Sequence, residues 1–131
     1  MNERHLFRGK RLNSGRWAQG SLVCGNNKFH IVDMGILEQV TVGSLHEVDP
    51  ATVGQCTGIR DWKGMLIYEG DIYKDSLKIV SIVEWDKINA RFLGFTLENE
   101  RRISYVGKEP AVEIIGNIHD NPDLINKGAP S

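Results

Sequence analysis

The stretch from Thr52 to Tyr73 constrains the fold most: Thr-Val-Gly-Gln-Cys-Thr-Gly-Ile-Arg-Asp-Trp-Lys-Gly-Met-Leu-Ile-Tyr-Glu-Gly-Asp-Ile-Tyr. Its apolar residues come in short runs, and glycine-containing turns separate them. Ile59 closes one run, and Arg60-Asp61-Trp62-Lys63-Gly64 is a polar turn ended by glycine. Met65-Leu66-Ile67-Tyr68 starts the next run, which breaks at Glu69-Gly70-Asp71 before Ile72 and Tyr73 resume it. Gly70 is predicted to hold a backbone conformation that a β-branched residue resists. Punctuation of this kind builds short strands joined by tight turns.

The same pattern extends to both sides. Trp17 to Val23 reads as a strand with Trp17, Gln19 and Ser21 on one face and Ala18 and Leu22 on the other. Gly25-Asn26-Asn27-Lys28 is a hairpin-type turn, and Phe29 to Val32 is its return strand. Asp33 to Gly35 stays ambiguous, and Ile36 to Val42 reads as helical in its first half and strand-like at Val40, Thr41 and Val42. Leu45 to Val48 is a short extended piece, and Asp49-Pro50 turns the chain. Gly54 and Gly58 suggest positive φ or close backbone approach. Lys78 to Trp85 carries the strongest strand signal, with Trp85 expected in the core. Phe92 and Phe95 cannot share a face of an unbroken strand, so a bulge is expected at Gly94. Glu98 to Arg102 is a charged loop or strand end, Pro110 closes a loop, and Ala111 to Ile118 is the last strand. Asn121 is the expected cap of one helical turn opening at Pro122.

The expected fold is therefore mainly β and barrel-like. An N-terminal β-hairpin region covers residues 1–58, an SH3-like barrel covers 59–125 and is packed with it as one unit, and a frayed tail covers 126–131. No amphipathic helix of about 10–15 residues separates the strands, which excludes a doubly wound α/β sheet.

Composition excludes further classes. A chain of 131 residues with 40% hydrophobic and 25% charged residues is globular rather than disordered. A net charge of −1 argues against a basic footprint over the whole surface and gives little repulsion against self-association. No apolar run approaches the about 18 residues that cross a membrane, and the N-terminal charges are followed by no apolar segment of the signal-peptide kind. Cys24 and Cys56 lack CxxC spacing and paired histidines, so both are expected as reduced, partly buried thiols. His30, His46 and His119 are isolated. Neither glycine motif that cradles phosphate occurs, and no cofactor is expected.

Two groups of side chains are candidates for a site. Glu69, Asp71, Glu84 and Asp86 would gather at one barrel end and bind a divalent metal if the strand from Asp71 pairs with the strand ending at Trp85. The plainer reading makes them turn and solvent-face residues. Arg8, Lys10, Arg11 and Arg16 lie near Trp17, and basic residues interleaved with an aromatic on a β surface can track phosphates and stack bases. Arg4 extends this basic stretch, and Arg101-Arg102 before Tyr105 is a second basic pair. Against that, 17 acidic residues outnumber 16 basic ones, and an exposed basic edge also guards a sheet against aggregation.

Five blocks in order carry a family resemblance: Phe7-Arg8-Gly9-Lys10, Trp17-Ala18-Gln19-Gly20, Thr52 to Gly58, Ile67-Tyr68-Glu69-Gly70-Asp71-Ile72, and Glu113 to Pro122. Together they resemble the YopX family of small proteins encoded by bacteriophages and prophages. The resemblance implies a phage context, a mainly-β fold with a barrel-like C-terminal half, and oligomerisation. It implies no catalytic residues. The expected function is that of a non-enzymatic phage or prophage accessory protein in the bacterial host cytoplasm, acting through protein binding and self-assembly. Its partners would be copies of itself and a phage or host protein. The alternative is a nucleic-acid-binding module, and the third reading is a metal-dependent hydrolase.

Overall fold

A computed structural model describes residues 3–33, 45–96, 103–105 and 112–126. The chain is mainly β, with two antiparallel sheets and one short helix among the described residues. It divides into two compact units, Met1–Cys56 and Thr57–Ser131.

In the first unit, β1 (Phe7–Lys10), β2 (Trp17–Gly25), β3 (Lys28–Asp33) and β4 (Leu45–Val48) follow one another as antiparallel neighbours. The free edge of β1 takes β5 (Gly54–Arg60), with Phe7 opposite Gln55. The β2–β3 turn holds Asn26 at φ 52° and Asn27 at φ 61°. Two left-handed residues in a two-residue loop match the right-handed twist of the flanking strands, and asparagine tolerates that geometry. Alternation sends Ala18, Ile31 and Val48 inward, with Phe7, Leu22, Phe29 and Val53 packed against them. Gly9 sits opposite Ala18, and a Cβ there would lie 3.0 Å from the Val48 side chain. Its missing side chain is what lets Val48 close onto β1.

Beyond Lys10 the chain turns to pair with β4. Arg11 bridges Val48, the Leu12 N–H donates to the Glu47 carbonyl at 3.0 Å, and the Asp49 N–H donates to the Lys10 carbonyl at 2.8 Å. These contacts hold the chain beyond β1 against the end of β4, the edge strand of the sheet. Asp49 then starts a 3-10 turn over Pro50–Thr52 by accepting the Ala51 N–H at 3.0 Å. Thr52 Oγ1 accepts the Lys10 N–H at 2.8 Å and fastens that turn to β1.

The second unit holds β6 (Leu66–Tyr68), β7 (Asp71–Lys74), β8 (Val80–Asp86), β9 (Arg91–Thr96), β10 (Ile103–Tyr105), β11 (Glu113–Asn117) and helix α1 (Pro122–Asn126). Five of its strands form a sheet in the order β10-β9-β8-β7-β11. Ile67, Tyr73, Val83 and Val112 make the core, with Phe92 and Ile114 against it. Gly70 has φ +92°, its N–H donates to the Val83 carbonyl at 2.9 Å, and its carbonyl accepts the Ile118 N–H at 2.9 Å. A Cβ at Gly70 would meet nothing closer than 3.6 Å, so the constraint is conformational rather than steric. Gly70→Val should cost roughly 1–3 kcal/mol. A urea midpoint equal to that of the wild type would contradict the strain.

Several expectations are corrected. Strand β8 begins at Val80, because Lys78 takes φ 65° and Asp75 Oδ1 holds the turn by accepting the N–H groups of Leu77 and Ile79. Gly94 forms no bulge: the β8–β9 register runs unbroken from Ser81–Thr96 to Asp86–Arg91. Phe92 and Phe95 simply occupy opposite faces. The irregularity lies in β11, between Ile114 and Gly116. Trp85 is 38% exposed, because β7 pairs with β8 only from Val80 to Ile82 and leaves the far end of β8 uncovered. Its main ring contact is edge-on with Phe92, centroids 4.8 Å apart, so the loss of a full core tryptophan does not apply to Trp85→Ala. The Asn121 side chain turns back to accept the Asn117 N–H at 3.2 Å instead of capping α1. Neither cysteine forms a disulfide; Cys56 is buried, whereas Cys24 is exposed rather than partly buried. The expectations for residues 34–42, 98–102, 110 and 127–131 lie outside the described residues, apart from Asp33 as the end of β3.

Candidate functional site

The four acidic candidates do not converge. Asp71 is buried, and its Oδ2 accepts the Tyr68 N–H at 2.7 Å, which ties the Glu69-Gly70 turn. Register places Tyr73 opposite Ser81, so Asp71 shares the face of Ser81 and Val83, while exposed Glu84 lies on the opposite face. Asp86 closes the β8–β9 turn. Its carboxylate accepts from the Asn89 side chain at 2.9 Å, the Ile88 N–H at 3.1 Å and Arg91 Nε at 3.3 Å. The Asn89 amide is the chief cause that holds this carboxyl below its ordinary range, against a partial loss of solvent. Among the described residues, no group of three or more His, Cys, Asp or Glu could hold a metal ion.

The basic candidates split into two sets. Lys10 pairs with Trp17 and Arg8 with Gln19, so all four side chains share one face of the β1–β2 ladder. The Arg8 guanidinium carbon lies 4.7 Å from the Trp17 ring centroid and Lys10 Nζ lies 5.6 Å from it. One indole thus engages two cations through its electron-rich face. Arg11 donates its N–H to the Arg16 carbonyl at 2.9 Å across the connecting turn. Arg11 and Arg16 lie just beyond the ends of β1 and β2, and Arg11 bridges Val48 at the end of β4. The structure therefore gathers Arg8 and Lys10 around Trp17 and leaves Arg11 and Arg16 outside the paired strands.

A third surface was not legible as a site in the sequence. Asp61, 6% exposed, accepts the N–H groups of Lys63 and Met65 at 2.9 Å through Oδ1, and of Ile114 at 3.2 Å through Oδ2. The Trp62 N–H donates to the Val112 carbonyl at 3.0 Å. These bonds pin the β5–β6 turn to β11 and leave Trp62 62% and Met65 61% exposed. Glu113 extends the fastening with Oε2 2.9 Å from Lys63 Nζ and Oε1 3.6 Å from Lys74 Nζ. The Lys63 hydrogen bond and charge hold the Glu113 carboxyl below its ordinary range, and the same contact raises Lys63. Lys74 leads into the β7–β8 turn, where Leu77 is 78% exposed. One end of the second unit thus carries three exposed apolar side chains on fastened turns. The available signal was a tryptophan and a methionine flanking an otherwise polar, glycine-ended turn.

The two antiparallel sheets and these surfaces define a small, mainly-β protein. The family model described as YopX protein matches residues 6–126, and the chain belongs to that family. No curated protein matches it. No helix among the described residues is long and apolar enough to cross a membrane.

Proposed function

We propose that this chain acts by binding protein, with no catalytic step of its own, as a self-assembling accessory protein of a phage or prophage. The observation that carries the reading is the pinned β5–β6 turn. Asp61 and Val112 hold its backbone, so Trp62 and Met65 are presented without an ordering cost at the moment of contact. Large aromatic side chains dominate the energy of protein contacts, and one exposed on a rigid support is the feature such contacts use. The phage setting is supported by the family to which the chain belongs.

The test is light scattering coupled to size exclusion over a range of protein concentrations. The wild type should exceed the 14.7 kDa mass of one chain. The Trp62→Ala/Met65→Ala double variant should weaken assembly by at least about tenfold. Both side chains are exposed, so its melting temperature should stay close to that of the wild type. A variant that assembles as the wild type does, or a wild type monomeric at every concentration, would remove the self-assembly reading.

A further inference from the structure

We propose that copies of this chain assemble head to tail, with the Trp62 end of one second unit docked on the Ile88 end of the next. The proposal rests on the self-assembly reading above and names the surface that Trp62 and Met65 meet.

Strand direction separates the two ends. Strand β8 starts at Val80, opposite Lys74 and next to the Leu77 turn, and runs to Asp86 before the Ile88 turn. Its seven residues put these two turns roughly 20 Å apart. The Gly70 turn lies at the Ile88 end, because its N–H donates to the Val83 carbonyl and its carbonyl accepts the Ile118 N–H. At that end Ile88 is 92% exposed and Trp85 38%. Asp86 accepts the Ile88 N–H at 3.1 Å, so this apolar tip, like the Trp62 turn, sits on backbone held by a carboxylate.

Charge selects the occupant. Beside Trp62, Arg60 and buried Asp61 offset each other in formal charge. Lys63, Lys74 and Lys78 then stand against Asp75 and Glu113. Asp75 is engaged with the N–H groups of Leu77 and Ile79, and Glu113 is shared by Lys63 and Lys74. Around Ile88 the balance reverses, with Glu69, Glu84, Asp86 and Asp120 against Lys87 and Arg91. These carboxylates occupy one end of the sheet without meeting at a point. Residues 97–102 and 106–111 each carry as many acidic as basic side chains, so they alter neither balance. Two like ends in contact would set equal charges against each other. The Trp62 end against the Ile88 end joins opposite charges and covers the exposed apolar side chains of both. The two tips point in opposite directions along the strands, so every contact leaves one of each open. Copies therefore add in a chain or close into a ring rather than stop at a symmetric pair.

Light scattering coupled to size exclusion tests this with two capped variants over a range of concentrations. Trp62→Ala/Met65→Ala blocks one end and Glu84→Lys/Ile88→Lys the other, and all four residues are exposed. Alone, each variant should assemble at least about tenfold more weakly than the wild type. Mixed in equal amounts, they should form complexes of two chains and none larger, because one intact contact remains per pair. Ile88→Ala keeps the charge and should still weaken assembly at least about threefold, which answers the question if the lysine variant unfolds. A wild type monomeric at every concentration would remove this proposal together with the self-assembly reading. A wild type that assembles while both Ile88 variants assemble as it does, or a mixture no larger than its parts, would overturn the head-to-tail contact alone.

Discussion

Asp61→Ala is expected to lower the stability of the protein by roughly 2–4 kcal/mol, because a nearly buried carboxylate that accepts three backbone N–H groups disappears and leaves those donors unmatched. Two of the three bonds are local, to Lys63 and Met65, and shape the β5–β6 turn. The third reaches Ile114 and fastens that turn to β11. Asp61→Asn separates the two roles. Its oxygen can replace Oδ1 toward Lys63 and Met65, but its amide then points a donor at the Ile114 N–H. The asparagine variant should therefore lose about half as much as the alanine variant. Urea unfolding of the three proteins checks this. Equal losses in both variants would show that the contact with β11 carries the whole effect, and a loss below about 0.5 kcal/mol in both would refute the role altogether. Loosening the turn should also weaken any assembly through Trp62, although Trp62 itself is retained.

Gly116→Ala should cost roughly 2–4 kcal/mol, from overpacking together with a displaced hydrogen bond. A Cβ at Gly116 would lie 2.6 Å from Asn121 Oδ1, 2.8 Å from Asn121 Cγ and 3.0 Å from Leu124 Cδ1. That oxygen accepts the Asn117 N–H, while the Asn121 N–H donates to the Asn117 carbonyl at 2.8 Å. The Asn117 side chain in turn accepts the N–H groups of His119 at 3.0 Å and Asp120 at 2.9 Å. Pushing Asn121 away thus unseats the turn from β11 into α1. The contrast with Gly70 is physical: Gly70 has space and an unusual φ, whereas Gly116 has no space. A double-mutant cycle with Asn121→Ala distinguishes the cause, because the alanine at 116 should be better tolerated once the obstructing side chain is gone. Additive losses would assign the effect to something other than this contact.

The strand-and-turn grammar was legible wherever local chemistry decides it. Asn26-Asn27 specifies its hairpin turn because asparagine accepts left-handed geometry. Glu69-Gly70-Asp71 breaks the apolar pattern where glycine is required at φ +92°. Local reasoning failed where a neighbour strand decides. Phe92 and Phe95 suggested a bulge, but β9 is covered on both faces, with Phe92 against Trp85 and Phe95 opposite Ile82. Trp85 followed the strongest strand signal, yet its burial depends on how far β7 extends alongside it.

By itself, the sequence determined a mainly-β chain of short antiparallel strands, its tight turns, and the family, since runs of apolar residues and glycines act within a few positions of themselves. Only the tertiary structure decided which side chains meet. It set Arg8 and Lys10 on Trp17, because the register between β1 and β2 gives all three one face, and left Arg11 and Arg16 beyond the paired strands. It also separated the four carboxylates among turns and opposite sheet faces. It brought Asp61 to a backbone N–H 53 residues along the chain and so converted a polar turn into a fixed support for Trp62. Contacts over that distance are fixed by strand order and packing, which no local pattern of residues encodes.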